Sequence, residues 1–178
     1  MKKIGCFLAA LILSGCANET DENHRSEISS LNEPAIEEKR VSFIGTGDNL
    51  IHNVIFEEAQ LEEGMFDFKP MFENVADEIE VADLAFINQE TLIGGDDFGF
   101  SGYPAFNTPS NMADDLNELG FDLVNGASNH SLDKGRQGVV NTLEIWNKQK
   151  NMVFTGVFDS QEERDAIPII EREGVNFS

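Results

Sequence analysis

The chain has 178 residues, with 12 Lys and Arg against 33 Asp and Glu, for a formal net charge of −21. That length suits one domain with extensions and is short for two; so acidic a surface repels phosphate backbones and argues against direct nucleic-acid binding. With 40% hydrophobic residues and 14 Phe the chain can build a core, while its two cysteines, Cys6 and Cys16, exclude a disulfide scaffold, a Cys-rich zinc module and a catalytic thiol in the body.

The N-terminus reads as an export signal. Lys2 and Lys3 precede the apolar run from Ile4 to Leu13, long enough for a signal core and too short to span a bilayer interior of about 30 Å. The run ends in Leu13-Ser14-Gly15-Cys16, which looks like a bacterial lipobox. In such signals the cysteine thiol is acylated and becomes the first mature residue. Residues 1–15 are therefore expected to be removed, taking Cys6, Lys2 and Lys3 with them and leaving 10 cations against 33 anions, a net −23. Lipid on Cys16 would hold the protein at the extracytoplasmic face of the cell membrane. Residues 16–40 read as an acidic disordered tether, rich in Glu and poor in large apolar side chains. His24 falls there and reads as solvated. The folded part, 41–178, begins near Val41.

In the body, strand patterns alternate with helix patterns. Val41 to Gly47 is a short β-rich run ended by glycines. Lys69-Pro70 opens a helix with Phe72, Val75, Ile79 and Ala82 on one face. Leu84 to Ile87 is a continuous apolar run suited to a buried parallel strand. Thr108 as N-cap, Pro109 at the first helical position and Gly120 at the end bracket a helix with Met112, Ala113, Leu116 and Leu119 as its stripe. Phe121 to Val124 is a strand, Gly138 to Lys150 a helix with Val139, Val140, Leu143 and Trp146 inward, and Met152 to Thr155 a strand. Ile167 to Glu171, a turn at Glu173-Gly174 and Val175 to Ser178 read as a hairpin. The expected fold class is α/β, a mostly parallel sheet flanked by helices, with Phe43, Phe86, Ile87, Leu123, Leu143 and Trp146 buried.

Polar clusters follow three of these strands: Asp48 in GTGDNLIH, Glu90 in INQET, and Asn129-His130 in NGASNHSLDKG. Ligands of open parallel sheets bind beyond the carboxyl ends of the strands, so the three clusters are expected to meet at one edge. Oxygen donors from Asp48, Glu90 and Asn129 with an imidazole from His130 suit a divalent metal such as Mn, Fe or Zn. Such metals would fix a phosphate or polarise a water, with a nearby His as proton donor. Each residue also has a plainer reading: Asp48 as a loop cap, Glu90 as a solvated carboxylate, Asn129-His130 as a turn pair, Asp133 as a helix cap. His52 packs on its loop and ranks below His130 as a ligand. Gly45-x-Gly47 is not a dinucleotide fingerprint, since Leu50 occupies the third glycine position, and no phosphate-binding P-loop is present.

FIGTGDNLIH, INQET, GYPAFNTP at 102–109 and NGASNHSLDKG at 125–135, in this order, resemble the CapA family of bacterial capsule-synthesis proteins associated with poly-γ-glutamate, over about residue 41 to the C-terminus. The resemblance implies a metallophosphoesterase-like fold and a membrane-anchored component of capsule or poly-γ-glutamate synthesis or export, working with poly-γ-glutamate synthase subunits. It places Asp48, Glu90 and Asn129 at metal-ligand positions and His130 in an Asn-His motif that contacts phosphate. Asp133 and Gly135 match an Asn-His-x-x-Asp-x-Gly pattern, which makes His130 and Asp133 the candidate catalytic pair. Members of the family are typically longer, and no histidine follows His130, so the expectation is a C-terminally truncated domain with part of the site. The alternatives are an anchored binding protein with a degenerate metal site and a metal-dependent phosphoesterase-like hydrolase.

Overall fold

The structure, a computed structural model, describes residues 38–178. The signal segment, Cys16, His24 and the tether up to residue 37 lie outside the described residues. Along the chain the elements are β1 (Phe43–Asp48), α1 (Asn53–Ala59), β2 (Gln60–Glu62), β3 (Met65–Phe66), a 3₁₀ turn (Lys69–Phe72), α2 (Ala76–Val81), β4 (Leu84–Asn88), a second 3₁₀ turn (Asp96–Phe98), α3 (Asn111–Glu118), β5 (Leu123–Asn125), α4 (Gly135–Trp146), β6 (Val153–Thr155), α5 (Gln161–Asp165), β7 (Ile170–Arg172) and β8 (Val175–Phe177). None of the helices among the described residues is long and apolar enough to cross a membrane.

Four strands form one parallel sheet in the order β1-β4-β5-β6, and β2-β3 and β7-β8 are separate antiparallel hairpins. The sheet strands lie side by side in the order in which the chain meets them. Parallel crossovers are right-handed, so three steps in one direction put all the connecting helices on one face. The core agrees. Ile44, Ala85, Ile87, Val124 and Phe154 share one face of the sheet and pack with Ile79 of α2, Met112, Ala113 and Leu116 of α3 and Trp146 of α4. Trp146 lies flat on Phe154, ring centroids 5.0 Å apart.

The opposite face carries Phe43, Leu84, Gly45, Phe86, Leu123 and Val153 in register; none of them joins that core, and of these Leu84 is buried. This corrects part of the expected core. Ile87 and Trp146 are buried, but Phe43 is 60% exposed, and Phe86, Leu123 and Leu143 are half-buried. A strand run alone cannot say which of its two faces is covered.

Other departures are local. The helix expected from Lys69 is a 3₁₀ turn followed by the separate α2; Phe72 and Ile79 are buried, while Val75 is exposed at the break. Thr108 is not an N-cap: Ser110 holds that position, and the Thr108 hydroxyl donates to Thr91 Oγ1 inside the core. Gly120 does follow the C-cap of α3, in the left-handed conformation with φ 94° that only glycine takes cheaply. α4 starts three residues earlier than expected, and its buried residues are Gly138, Thr142 and Trp146, with Val139 and Val140 half-buried. The expected C-terminal hairpin is present. Glu173 and Gly174 both take positive φ, the two-residue turn that matches strand twist. Arg172 clamps it to the sheet, its Nε donating to the Asp83 carbonyl and its Nη2 pairing with the Asp122 carboxylate.

Candidate functional site

The last rung of the sheet is polar. Asp48, Asn88 and Asn125 end β1, β4 and β5 in register, and their side chains bond laterally across the strands. Asn125 Nδ2 donates to Asn88 Oδ1 at 2.6 Å, and Asn88 Nδ2 donates to Asp48 Oδ1 at 2.6 Å. The ladder occupies Asp48 Oδ1 and leaves its second oxygen unclaimed by Asn88. Beyond the ladder, the loop after β5 turns tightly at Gly126, where any Cβ would collide with the Phe154 ring.

Glu90, two residues past β4, comes back to hydrogen-bond Asp48. Burial, then that hydrogen bond and the Asp48 charge, push the Glu90 carboxyl above its ordinary range, and the nearby His130 opposes the rise. Ser128 braces this approach from behind: its hydroxyl donates to the Glu90 carbonyl at 2.7 Å and accepts from the His130 amide at 3.0 Å.

His130 is held at both nitrogens. Nδ1 donates to Asp133 Oδ2 at 2.8 Å, and Nε2 lies 3.1 Å from Asn129 Nδ2. Asp133 Oδ2 also accepts the Phe106 amide at 2.7 Å. The aspartate is thus fixed by the 102–109 loop and does not cap α4, whose N-cap is Lys134 with no side-chain cap bond. The Phe106 ring meets His130 edge-on at 4.5 Å and His52 edge-on at 5.1 Å, so one phenyl sits between two imidazoles.

The four residues singled out from the sequence as ligands therefore occupy one edge. Asp48 and Glu90 touch, His130 lies near Glu90, and Asn129 touches His130. Among the described residues, no group of three or more His, Cys, Asp or Glu side chains could hold a metal ion together. The assembled donors are the two carboxylates, because His130 spends both nitrogens on protein partners. Sequence reading passed over Asn88 and Asn125, which build the ladder; their signal was their place as the last residue of each strand pattern. It also ranked His52 low, and the structure brings that ring to the same phenyl as His130.

A parallel α/β sheet flanked by helices, with a carboxylate pair, an amide ladder and an Asp-oriented imidazole at its carboxyl edge, is a phosphoesterase-like scaffold. Residues 42–178 match the family described as bacterial capsule synthesis protein PGA_cap, and the chain belongs to that family. It is also similar to two proteins of Sinorhizobium fredii (strain NBRC 101917 / NGR234), the uncharacterized proteins y4sH and y4uA. Each is 31% identical over 109 residues, which is 57% of this chain and 23% of the relative. The chain thus spans under a quarter of the length of these two relatives.

Proposed function

We propose that the protein is a capsule or poly-γ-glutamate synthesis component, lipid-anchored through Cys16 at the extracytoplasmic face of the cell membrane. In this reading it serves poly-γ-glutamate synthase subunits by binding an anionic ligand at the carboxyl edge of its sheet. The observation that carries this reading is the meeting of Asp48, Glu90 and His130, which come from three different strand ends. A divalent cation such as Mn, Fe or Zn would be held by the Asp48–Glu90 pair. Two carboxylates and water make a weak site, as in sites that keep most of a cation's hydration shell. When bound, such a cation supplies positive charge for a phosphate or carboxylate group of the ligand.

The chain's own residues do the rest. Asp48 and Glu90 would bind the cation, Asp133 orients the imidazole, and His130 holds a proton at Nδ1 while Nε2 faces the Asn129 amide. A second reading, a metal-dependent phosphoesterase-like hydrolase, is supported by the Asp133–His130 pair, the arrangement of an oriented acid or base.

Calorimetric titration of Mn²⁺ into the full chain tests the site. Weak binding is expected, lost in Asp48→Ala and in Glu90→Gln while circular dichroism shows both variants folded. Undiminished binding in both variants would place the cation elsewhere. Turnover of a phosphate ester that disappears in His130→Ala would select the hydrolase.

A further inference from the structure

A second concavity lies apart from the carboxyl edge. α1 and the 3₁₀ turn at Lys69–Phe72 enclose an open cavity of about 410 Å³ with Ile55, Ala59, Phe68 and Met71 on its apolar walls and Glu58 and Glu73 on its rim. The same stretch of chain exposes Val54, Leu61, Met65 and Val75, and Met71 is itself 46% exposed. Soluble domains seldom leave so many large apolar side chains exposed in one short stretch without a use. The methionine adds an unbranched, polarizable side chain that adapts to what it meets.

The charge around this cavity is predominantly negative. From Val41 to Asp133 the sequence holds a single Lys or Arg, Lys69. Lys69 is already committed: its ammonium lies 2.6 Å from Glu118 and 3.9 Å from Asp115. The Glu58 and Glu73 carboxylates find no hydrogen-bond or ion-pair partner among the described residues, and Glu57, Glu62 and Glu63 nearby are exposed as well. A second copy of this chain would bring its own negative charge to the rim and be repelled.

We propose that this cavity is a docking site for a basic segment of another protein, one that seats a large apolar side chain against Met71 and Phe68 and lays Lys or Arg on Glu58 and Glu73. The apolar walls supply the contact area, and the rim steers and orients the incoming cations.

The test uses the full chain in nanodiscs of zwitterionic lipid, with empty nanodiscs as the blank. The probe is a short lysine-rich peptide carrying a central pair of leucines. Saturable one-to-one binding that weakens as salt rises is expected. Met71→Glu should weaken it about tenfold, although it adds a negative charge. Glu58→Gln with Glu73→Gln should weaken it too, while Glu144→Gln on α4, equal in charge change to either single step, should leave it unchanged. Circular dichroism identical to the parent shows that each variant is folded. The proposal is overturned if Met71→Glu binds as well as the parent or better, since bulk electrostatics alone would then explain the affinity. It is also overturned if Glu144→Gln weakens binding as much as the rim pair does, if the parent does not bind, or if sedimentation shows a dimer that Met71→Glu dissolves.

Discussion

At the scale of single residues, the protein spends several polar side chains on holding other polar side chains. Asn88 has Asp48 on one side and Asn125 on the other, so truncating it takes a donor from the Asp48 carboxylate and leaves the Asn125 amide only its longer bond to the Ala127 carbonyl. Asn88→Ala is expected to cost about 1 kcal/mol in stability and to weaken Mn²⁺ binding through Asp48, read by calorimetry beside a urea titration. Asp115 is a different case. It is buried, and its Oδ2 accepts the Phe68 amide at 2.6 Å. Burial raises its carboxyl above the ordinary range; the Phe68 amide and Lys69 oppose this, and Asp67 and Glu118 add to it. A raised carboxyl binds its proton more tightly folded than unfolded, so its favourable contribution is complete below the unfolded value and is lost as pH climbs through the folded one. Asparagine mimics the protonated acid and keeps an acceptor for Phe68. Asp115→Asn should therefore match the parent near pH 3.5 and gain relative to it toward pH 7, in urea midpoints taken across that window. A difference that does not vary with pH would show that burial is not governing this carboxyl.

At the scale of elements, strand order decides which apolar residues matter. Trp146 of α4 is 2% exposed and stacks on Phe154 of β6, whereas Phe43 stands on the uncovered face of the edge strand β1, its ring over Gly45. Trp146→Ala should cost about 3–5 kcal/mol, and Phe43→Ala no more than about 0.5 kcal/mol. Equal losses in urea denaturation would falsify the one-sided core. The β7–β8 hairpin depends on Arg172, which reaches the Asp83 carbonyl and the Asp122 carboxylate from outside the sheet. Arg172→Gln is expected to raise amide hydrogen exchange across residues 170–177 while β4 and β5 stay protected. Unchanged exchange there would mean that the hairpin is held by its own turn and by Ile170.

At the scale of the whole molecule, charge and attachment dominate. A net charge of −21 favours solubility and keeps copies apart, and a single thiol near the N-terminus is the proposed point of attachment. Cys16→Ser should abolish palmitate labelling and move the protein out of the acylated membrane fraction. Labelling that persists in this variant would remove the anchoring proposal without touching the fold.

Much of this was legible in the amino-acid sequence. Apolar periodicity and cap residues are local properties, so the strand–helix alternation, the parallel sheet, the end of α3 at Gly120 and the C-terminal turn at Glu173-Gly174 could be read from short windows. The same is true of the three polar clusters, because a residue that follows a parallel strand arrives at the carboxyl edge wherever that strand lies. What the windows could not contain was lateral order. The β1-β4-β5-β6 sequence of neighbours puts every connecting helix on one face and leaves Phe43 exposed, and it places Asn88 between Asp48 and Asn125. Asp133 reads locally as a cap for α4, yet its Oδ2 is taken by the His130 ring three residues before it and by the Phe106 amide, which the 102–109 loop brings from another part of the fold. Those partners are set by how strands pack side by side, and only the tertiary structure determines that.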